Sequence, residues 1–143
     1  MLEAWVMTLI FTISAQEQVP PYLVAAIIIV ESQGNPNAIN RNNANNTIDL
    51  GIMQLNSSWF NDPNWACAET NIRAGTKHLR WLYTETYNVS PTWWVAVVAY
   101  NCGLSRFNSQ QGPPQVSIAY ADRVMELWKE LDPILRRQNR RVN

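Results

Sequence analysis

The 143-residue chain has the length of one domain, and its 47% hydrophobic and 15% charged residues predict a globular protein with a buried core, which excludes an intrinsically disordered chain. The formal net charge is zero but uneven: residues 1–72 carry six acidic and one basic residue (−5), whereas residues 73–143 carry ten basic and five acidic residues (+5). No nucleic-acid-binding motif accompanies the basic half, which excludes that class of protein.

The first seventeen residues allow two interpretations. A set of apolar residues falls on one helical face, with Glu3 and Thr8 off it, which predicts a helix; the set is Leu2, Trp5, Val6, Leu9, Ile10 and Ile13. The stretch up to Ala15 also has the apolar core of a signal peptide, but an acidic residue stands where basic ones are expected. We expect the first helix of the domain, which is too short to span a membrane.

A second, very apolar helix is predicted over residues 20–33. Two prolines suit its first turn, residues 22–30 are almost entirely apolar, and Gly34 is typical of a helix end. Glu31 falls on the last turn, where the helix dipole and desolvation both favour the protonated acid. A carboxyl group kept neutral near pH 7 is what a general acid requires. The alternative is an ordinary solvated glutamate at a helix end.

The next segment is rich in asparagine. Seven asparagines lie between positions 35 and 46, too many for a helix because their side chains compete for backbone partners. Residues 47–50 have strand-like composition, so a short hairpin is predicted there. Asp49 lies among polar neighbours that keep a carboxylate charged, which suits the stabilisation of a developing positive charge. The alternative is a simple turn residue.

The second half of the chain is predicted to be helical. Apolar residues at helical spacing predict a helix over residues 66–86. Thr92 is a candidate N-cap for a buried helix that Gly103 ends. Residues 104–114 have the composition of a loop.

A last amphipathic helix ends at Asp132-Pro133 and leaves a basic tail over residues 133–143. The tail contains a cluster of four arginines, Arg136, Arg137, Arg140 and Arg141. Two interpretations stay open: the cluster contacts phosphate-bearing envelope polymers or an acidic partner protein, or it is a solvated tail.

Cys67 and Cys102 leave three interpretations open, namely a disulfide, two buried thiols or a redox pair. Their spacing is not that of a metal or oxidoreductase motif, and a disulfide suits a protein that works outside the cytoplasm. The lone His78 is expected to be a surface or packing residue, so no metal site is predicted.

The segment from Glu31 to Trp59 resembles the active-site region of the lysozyme-like superfamily. Three pieces are similar to lytic transglycosylases: Glu31-Ser32, Asn35-Pro36-Asn37-Ala38 and Gly51-Ile52-Met53-Gln54. Others are similar to c-type lysozymes: Asn40-Arg41-Asn42, Asp49 before Gly51-Ile52, Asn56-Ser57 and Trp59. In hen-type lysozyme a glutamate of raised pKa works beside an ionised aspartate, so a two-carboxylate site is implied here by resemblance.

A second motif favours the transglycosylase branch. Ala99-Tyr100-Asn101-Cys102-Gly103 resembles the Ala-Tyr-Asn-Ala-Gly signature of lytic transglycosylases, which c-type lysozymes lack; Cys102 is the departure from it. The segment from Tyr120 to Val124 is similar to a late tyrosine segment of that family, whose ring lines the pocket. The resemblance covers residues 20–131 and is closest to the specialised secretion, conjugation or phage type.

The resemblance implies a mainly α, α+β lysozyme-like fold: a single domain over residues 1–143 with a small loop or β-hairpin lobe and a cleft between lobe and helices. It implies a lytic transglycosylase that cuts the β-1,4 bond between N-acetylmuramic acid and N-acetylglucosamine in peptidoglycan. Glu31 is the expected acid and base, and Asp49 the second catalytic residue. The expected substrate-binding residues are Ser32, Met53, Gln54, Asn56, Trp59, Tyr100, Asn101 and Tyr120.

No cofactor or metal is implied. The expected location is the periplasm or another extracytoplasmic compartment, or a phage particle, and the expected partners are glycan strands and a secretion, conjugation or phage-tail complex. Two alternatives stay open. One is a hydrolytic muramidase that uses Glu31 and Asp49, and the other is a non-catalytic component that binds murein.

Overall fold

The computed structural model describes residues 1–142 and confirms the mainly helical α+β class. The helices in this part of the chain are α1 (Ala4–Glu17), α2 (Pro21–Ser32), α3 (Ala68–Thr86), α4 (Trp93–Cys102), α5 (Leu104–Phe107), α6 (Gln115–Leu131) and α7 (Pro133–Val142). Three two-residue strands, β1 (Ile39–Asn40), β2 (Asp49–Leu50) and β3 (Leu55–Asn56), form one antiparallel sheet. The residues fall into two compact units, Met1–Thr76 and the described chain from Lys77 onward. The single domain expected from the sequence stays a prediction.

In the first unit, α1 and α2 pack through apolar side chains. Val6, Ile10 and Ile13 of α1 are buried at the spacing of one helical face, whereas Trp5, which we placed on that face, is 51% exposed. In α2 the six consecutive residues Leu23–Ile28 are all buried, as expected of a helix without a polar face. The helix ends on Gln33, which adopts the left-handed conformation one residue before the glycine we expected there.

The small sheet has the order β1-β2-β3, so the predicted hairpin gains a third strand. Asp49 pairs with Asn40 on one side and with Asn56 on the other. Its neighbour Leu50 pairs with Leu55, and both leucines are buried. Because side chains alternate across a sheet, this register places one polar row and one apolar row across the strands.

In the second unit, α4 is the buried helix predicted from its composition. Its residues Val95–Ala99 are all buried. Thr92 occupies the predicted N-cap position, although its hydroxyl makes no capping hydrogen bond. The indole Nε1 of Trp94 donates a 2.8 Å hydrogen bond to Asp122 Oδ1, which ties α4 to α6.

Two segments that we expected to be irregular are helical. The short helix α5 opens the predicted loop, and α7 replaces the predicted tail. For α7 the reason lies at Asp132, whose Oδ1 accepts hydrogen bonds from the amides of Ile134 (2.9 Å) and Leu135 (3.4 Å). Asp132 is therefore an N-cap and Pro133 takes the first helical position, so the same pair that ends α6 starts α7. Within residues 1–142, no helix is both long and apolar enough to cross a bilayer.

Candidate active site

Glu31 lies on the last turn of α2, as the sequence predicts, and its side chain is partly buried. The helix before it is buried over the six residues Leu23–Ile28, and it ends at Ser32. The Glu31 carboxyl group therefore belongs to the last turn of a buried apolar helix, and the segment that leads to β1 follows directly along the chain.

Ser32 fixes the end of α2 to the loop between β2 and β3. Its Oγ donates a 2.7 Å hydrogen bond to the carbonyl oxygen of Ile52 and accepts one from the Gly34 amide at 3.2 Å. The carbonyl of Ile28 lies farther away, at 3.3 Å. Because Ile52 is twenty positions along the chain, this bond holds the residue after Glu31 against the Gly51–Gln54 turn.

The conformation of the Gly51–Gln54 turn requires a glycine at its first position. Gly51 has a φ of +80°, and a Cβ there would collide with the Asn71 side chain and with the Trp65 carbonyl. Gln54 also has a positive φ, and its Nε2 donates to the carbonyls of Ala38 (3.0 Å) and Gly51 (2.9 Å). Gln54, which we predicted to bind substrate, thus uses its amide nitrogen to brace the turn.

Asn71 is a residue of this site that the sequence analysis missed. It is fully buried on α3, its Oδ1 accepts from the Met53 amide at 2.9 Å, and its Nδ2 donates to the carbonyls of Leu50 (3.0 Å) and Trp65 (3.1 Å). The sequence could have indicated that Asn71 is buried, because Asn71 precedes Gly75 by one helical turn and so lies on the apolar face of the predicted helix. A polar residue on such a face needs partners, and here they are backbone groups.

Met53 is completely buried, although we predicted that it contacts substrate. A Cβ on Gly75 would lie 2.6 Å from the Met53 sulfur and 3.2 Å from Leu55 Cδ2, so the thioether packs directly on the α3 backbone. The burial of Met53 favours a packing role beneath the turn over a direct contact with a sugar.

Asp49 lies at the centre of a ring of amide donors. Its Oδ2 accepts from Asn40 Nδ2 (3.1 Å) and Asn43 Nδ2 (3.0 Å), and its Oδ1 accepts from Asn56 Nδ2 (2.9 Å). The hydroxyl of Thr47 accepts a further 2.8 Å bond from Asn56. Three donors on two oxygens fit the acceptor-only bonding of a carboxylate. Asp49 thus holds the asparagine-rich segment together through these hydrogen bonds. The sequence analysis did not identify Asn43 as one of its partners.

Trp59 follows β3 and presents its indole to solvent. It is 43% exposed, and its ring lies at a tilt against Phe60 with the centroids 5.8 Å apart. An exposed, braced indole has the apolar face that sugar rings stack on.

The remaining predicted site residues belong to the second unit. Tyr100 is partly buried on α4, with its ring centroid 5.9 Å from that of His78. Asn101 is exposed, and its Oδ1 accepts a 2.7 Å bond from the Ser117 hydroxyl. Tyr120 is only 6% exposed, so its ring has little surface for a ligand.

His78 is a packing residue, in agreement with the sequence analysis. It stacks on Trp81 with a centroid separation of 5.6 Å. Burial lowers the pKa of His78 from 6.5 to about 4, because the charged imidazolium loses its hydration. The ring is therefore neutral at physiological pH.

Both cysteines are free thiols, so the disulfide interpretation is not realised. Hydrogen bonds from the backbone and side chain of Thr70 hold the pKa of the exposed Cys67 thiol below its usual value. Burial raises the pKa of Cys102. In the part of the chain that the structure describes, no cluster of three or more His, Cys, Asp or Glu side chains is arranged to hold a metal ion.

The chain matches the model of a known family over most of its length. The model of a family described as "Transglycosylase SLT domain" matches residues 8–116, which is more than half of the chain. The matched region runs from α1 into the first turn of α6 and contains Glu31, Asp49 and Tyr100. Tyr120 and α7 lie beyond it.

Proposed function

Because the chain belongs to the transglycosylase SLT domain family, we propose that it cuts the β-1,4 bond between N-acetylmuramic acid and N-acetylglucosamine and leaves 1,6-anhydro ends. Membership of the family supports a transglycosylase-type, peptidoglycan-cleaving function in general, and hence action outside the cytoplasm. The proposal adds the bond, the product and the residues that carry the reaction.

Glu31 is the proposed acid and base. As an acid it gives its proton to the bridging oxygen, so that the glycosidic bond breaks and the departing sugar leaves as an alcohol. As a base it then takes the proton of the muramic 6-hydroxyl while that oxygen bonds to C1. The ring closes without water, and Glu31 regains its proton.

One observation carries this proposal: Glu31 is partly buried at the end of a buried helix, and the next residue is bonded to the Gly51–Gln54 turn at 2.7 Å. A general acid must keep its position relative to the substrate, because misplacement by about 1 Å can cost 100-fold in rate. The Ser32–Ile52 bond supplies such a constraint in the first unit.

Of the other residues in the first unit, some act on the substrate directly and some position other residues. Asp49, held by three amides, stabilises positive charge that develops on the sugar. Trp59 stacks on a sugar ring. Ser32 and Gln54 position the turn, and Asn56 positions Asp49, so these three act through other residues.

Three residues of the second unit complete the proposed set. Asn101 is exposed and keeps its amide nitrogen for hydroxyl or N-acetyl groups while its oxygen is used by Ser117. Tyr100 contributes ring surface or a hydroxyl, whereas the buried Tyr120 contributes its hydroxyl or packing beneath the pocket. The family motif around Tyr100 and Asn101 supports this assignment.

The test is digestion of purified murein sacculi, followed by mass spectrometry of the fragments. The wild-type protein releases anhydro-muropeptides, and Glu31→Gln releases none, because an amide neither donates nor accepts the transferred proton. Glu85→Gln, an exposed glutamate on α3, is the matched control and keeps full activity. Full activity in Glu31→Gln, or wild-type protein that binds murein without cutting it, contradicts the proposal; the latter supports a non-catalytic binding component.

Hydrolysis is the second candidate, and the bonding of Asp49 favours it. A carboxylate oriented on both oxygens has the rigidity expected of the second catalytic group of a retaining glycosidase. The same digestion separates the two reactions, since hydrolysis yields reducing muramic ends in place of anhydro ends. Asp49→Asn then abolishes hydrolysis but only slows transglycosylation.

The cellular setting is proposed on the same basis. A chain that cuts glycan strands works in a murein-facing compartment, either the periplasm or a phage particle. A secretion, conjugation or phage-tail complex stays the predicted partner, to be identified by crosslinking in cells that express the full chain.

A further inference from the structure

Helix α7 carries a strongly basic face that the proposed reaction does not use. Four of its ten residues are arginines and none is acidic, so the helix has a formal charge of +4. With about 3.6 residues per turn, positions 136, 137, 140 and 141 fall on one face. All four side chains are exposed, and no ion pair to any of them is found within residues 1–142.

The opposite side of α7 is turned toward α6. Leu135, Gln138 and Asn139 line a groove together with Met125 and Trp128 of α6. The arginine face therefore points away from α6. The cap at Asp132 fixes where the helix begins, through the 2.9 Å bond from the Ile134 amide.

Apolar side chains accompany the arginines. Ile134 is 68% exposed and, at positions i, i+3 and i+7, shares one edge of the helix with Arg137 and Arg141. Val142 is 87% exposed at the end of the helix. Bare apolar groups beside unpaired cations are typical of a helix that lies at a lipid–water interface, where the apolar groups enter the headgroup region and the cations meet lipid phosphates.

We propose that the exposed face of α7, formed by Ile134, Arg136, Arg137, Arg140 and Arg141, docks on an anionic phospholipid bilayer. The charges are complementary, and a straight helix about 15 Å long presents a linear row that suits a planar surface. A soluble anionic polymer would use the arginines but would gain nothing from Ile134. This surface lies outside the family match, which ends at residue 116, and the inference does not depend on the proposed reaction.

The test is co-sedimentation of the full chain with vesicles of phosphatidylglycerol and phosphatidylcholine, and with vesicles of phosphatidylcholine alone. We expect binding only to the anionic vesicles and weaker binding as salt is raised. Arg137→Gln combined with Arg141→Gln weakens binding about 30-fold, since each basic side chain near such a surface contributes about 1 kcal/mol.

Lys77→Gln combined with Arg123→Gln is the matched control, because it removes two exposed positive charges outside α7. Its binding stays within a factor of about three of the wild type, a small loss expected from long-range charge alone. Ile134→Ser, which keeps every charge, weakens binding measurably if the helix enters the headgroup region.

Four outcomes overturn the proposal. These are equal losses in the two double variants, equal wild-type binding to both kinds of vesicle, no effect of Ile134→Ser, and binding to soluble polyphosphate without binding to anionic vesicles. The last would assign the face to an anionic polymer. Circular dichroism and thermal unfolding of each variant show that the fold is retained, so that a loss of binding reports on the surface.

Discussion

The hydroxyl of Ser32 donates a 2.7 Å hydrogen bond to the carbonyl oxygen of Ile52. This bond joins the last residue of α2 to the turn that separates β2 from β3, and Glu31 directly precedes it. The proposed acid is thus attached to the sheet segment through its neighbour's side chain.

Removal of this hydroxyl tests the attachment. Ser32→Ala lowers the free energy of unfolding by about 1 kcal/mol, the usual contribution of one partly buried hydrogen bond. It also lowers kcat on murein more than it raises KM, because the acid is less well positioned. Chemical denaturation and steady-state assays measure the two effects. Ser58→Ala, an exposed serine of the same segment, is the control and changes neither. An unchanged kcat in Ser32→Ala would argue against the positioning role.

Asn71 is predicted to be a major contributor to stability. Asn71→Ala removes three hydrogen bonds of 2.9 to 3.1 Å and leaves buried backbone groups of Leu50 and Met53 without partners. We expect a loss of about 3 kcal/mol in the free energy of unfolding. Activity falls with it, because the Gly51–Gln54 turn loses its support. The exposed Asn64→Ala is the matched control and has little effect. Denaturant titration monitored by tryptophan fluorescence measures the free energy of unfolding of both variants, and equal losses in the two would contradict the prediction.

His78 predicts a pH dependence of stability. Its pKa is lowered by burial to about 4 in the folded protein, below the 6.5 of an unfolded chain. The unfolded state therefore binds more protons in this window, so stability is complete above pH 6.5 and falls as the pH is lowered to 4. The full loss is about 3 kcal/mol.

Because His78 is the only histidine, its imidazole signals report the titration without ambiguity. A midpoint near 4 supports the burial argument, and a midpoint near 6.5 contradicts it. Unfolding of His78→Gln over the same pH range separates the histidine from the carboxylates, which titrate in both proteins.

The two thiols are predicted to differ in reactivity. Cys67 is exposed and its pKa is lowered by the Thr70 hydrogen bonds, whereas burial raises the pKa of Cys102. Since the thiolate is the nucleophile, iodoacetamide at pH 7.5 modifies Cys67 at least about tenfold faster. Peptide mass spectrometry over time measures both rates in one sample. Cys67→Ser removes the fast phase alone, and equal rates in the wild type would refute the assignment.

Features that depend on neighbouring residues were predictable. A run of apolar residues bounded by prolines and a glycine predicted α2, because a helix is decided within a few turns by local spacing and end signals. The position of Glu31 on its last turn followed directly. The basic segment was misjudged for a local reason as well: Asp132-Pro133 was interpreted as an end, although the same pair is also typical of a start.

Features that depend on distant pairings were not predictable in detail. The motifs placed Asp49 and Asn56 in one region, but only the sheet register puts Asp49 between Asn40 and Asn56. Likewise Gln54 and Met53 matched a family motif, yet one braces two carbonyls and the other is buried on Gly75. Residue identity does not specify which face of a two-residue strand turns inward.

By itself the sequence determined the helices α1 to α4 and α6, the end-of-helix position of Glu31 and the family, because these follow from local periodicity and contiguous motifs. The tertiary structure decided which polar residues support the site: Ser32 on Ile52, the three amides on Asp49 and the buried Asn71. Hydrogen bonds between groups six to twenty-one positions apart are satisfied only when the chain closes on itself, and many pairings are compatible with one composition until packing selects among them.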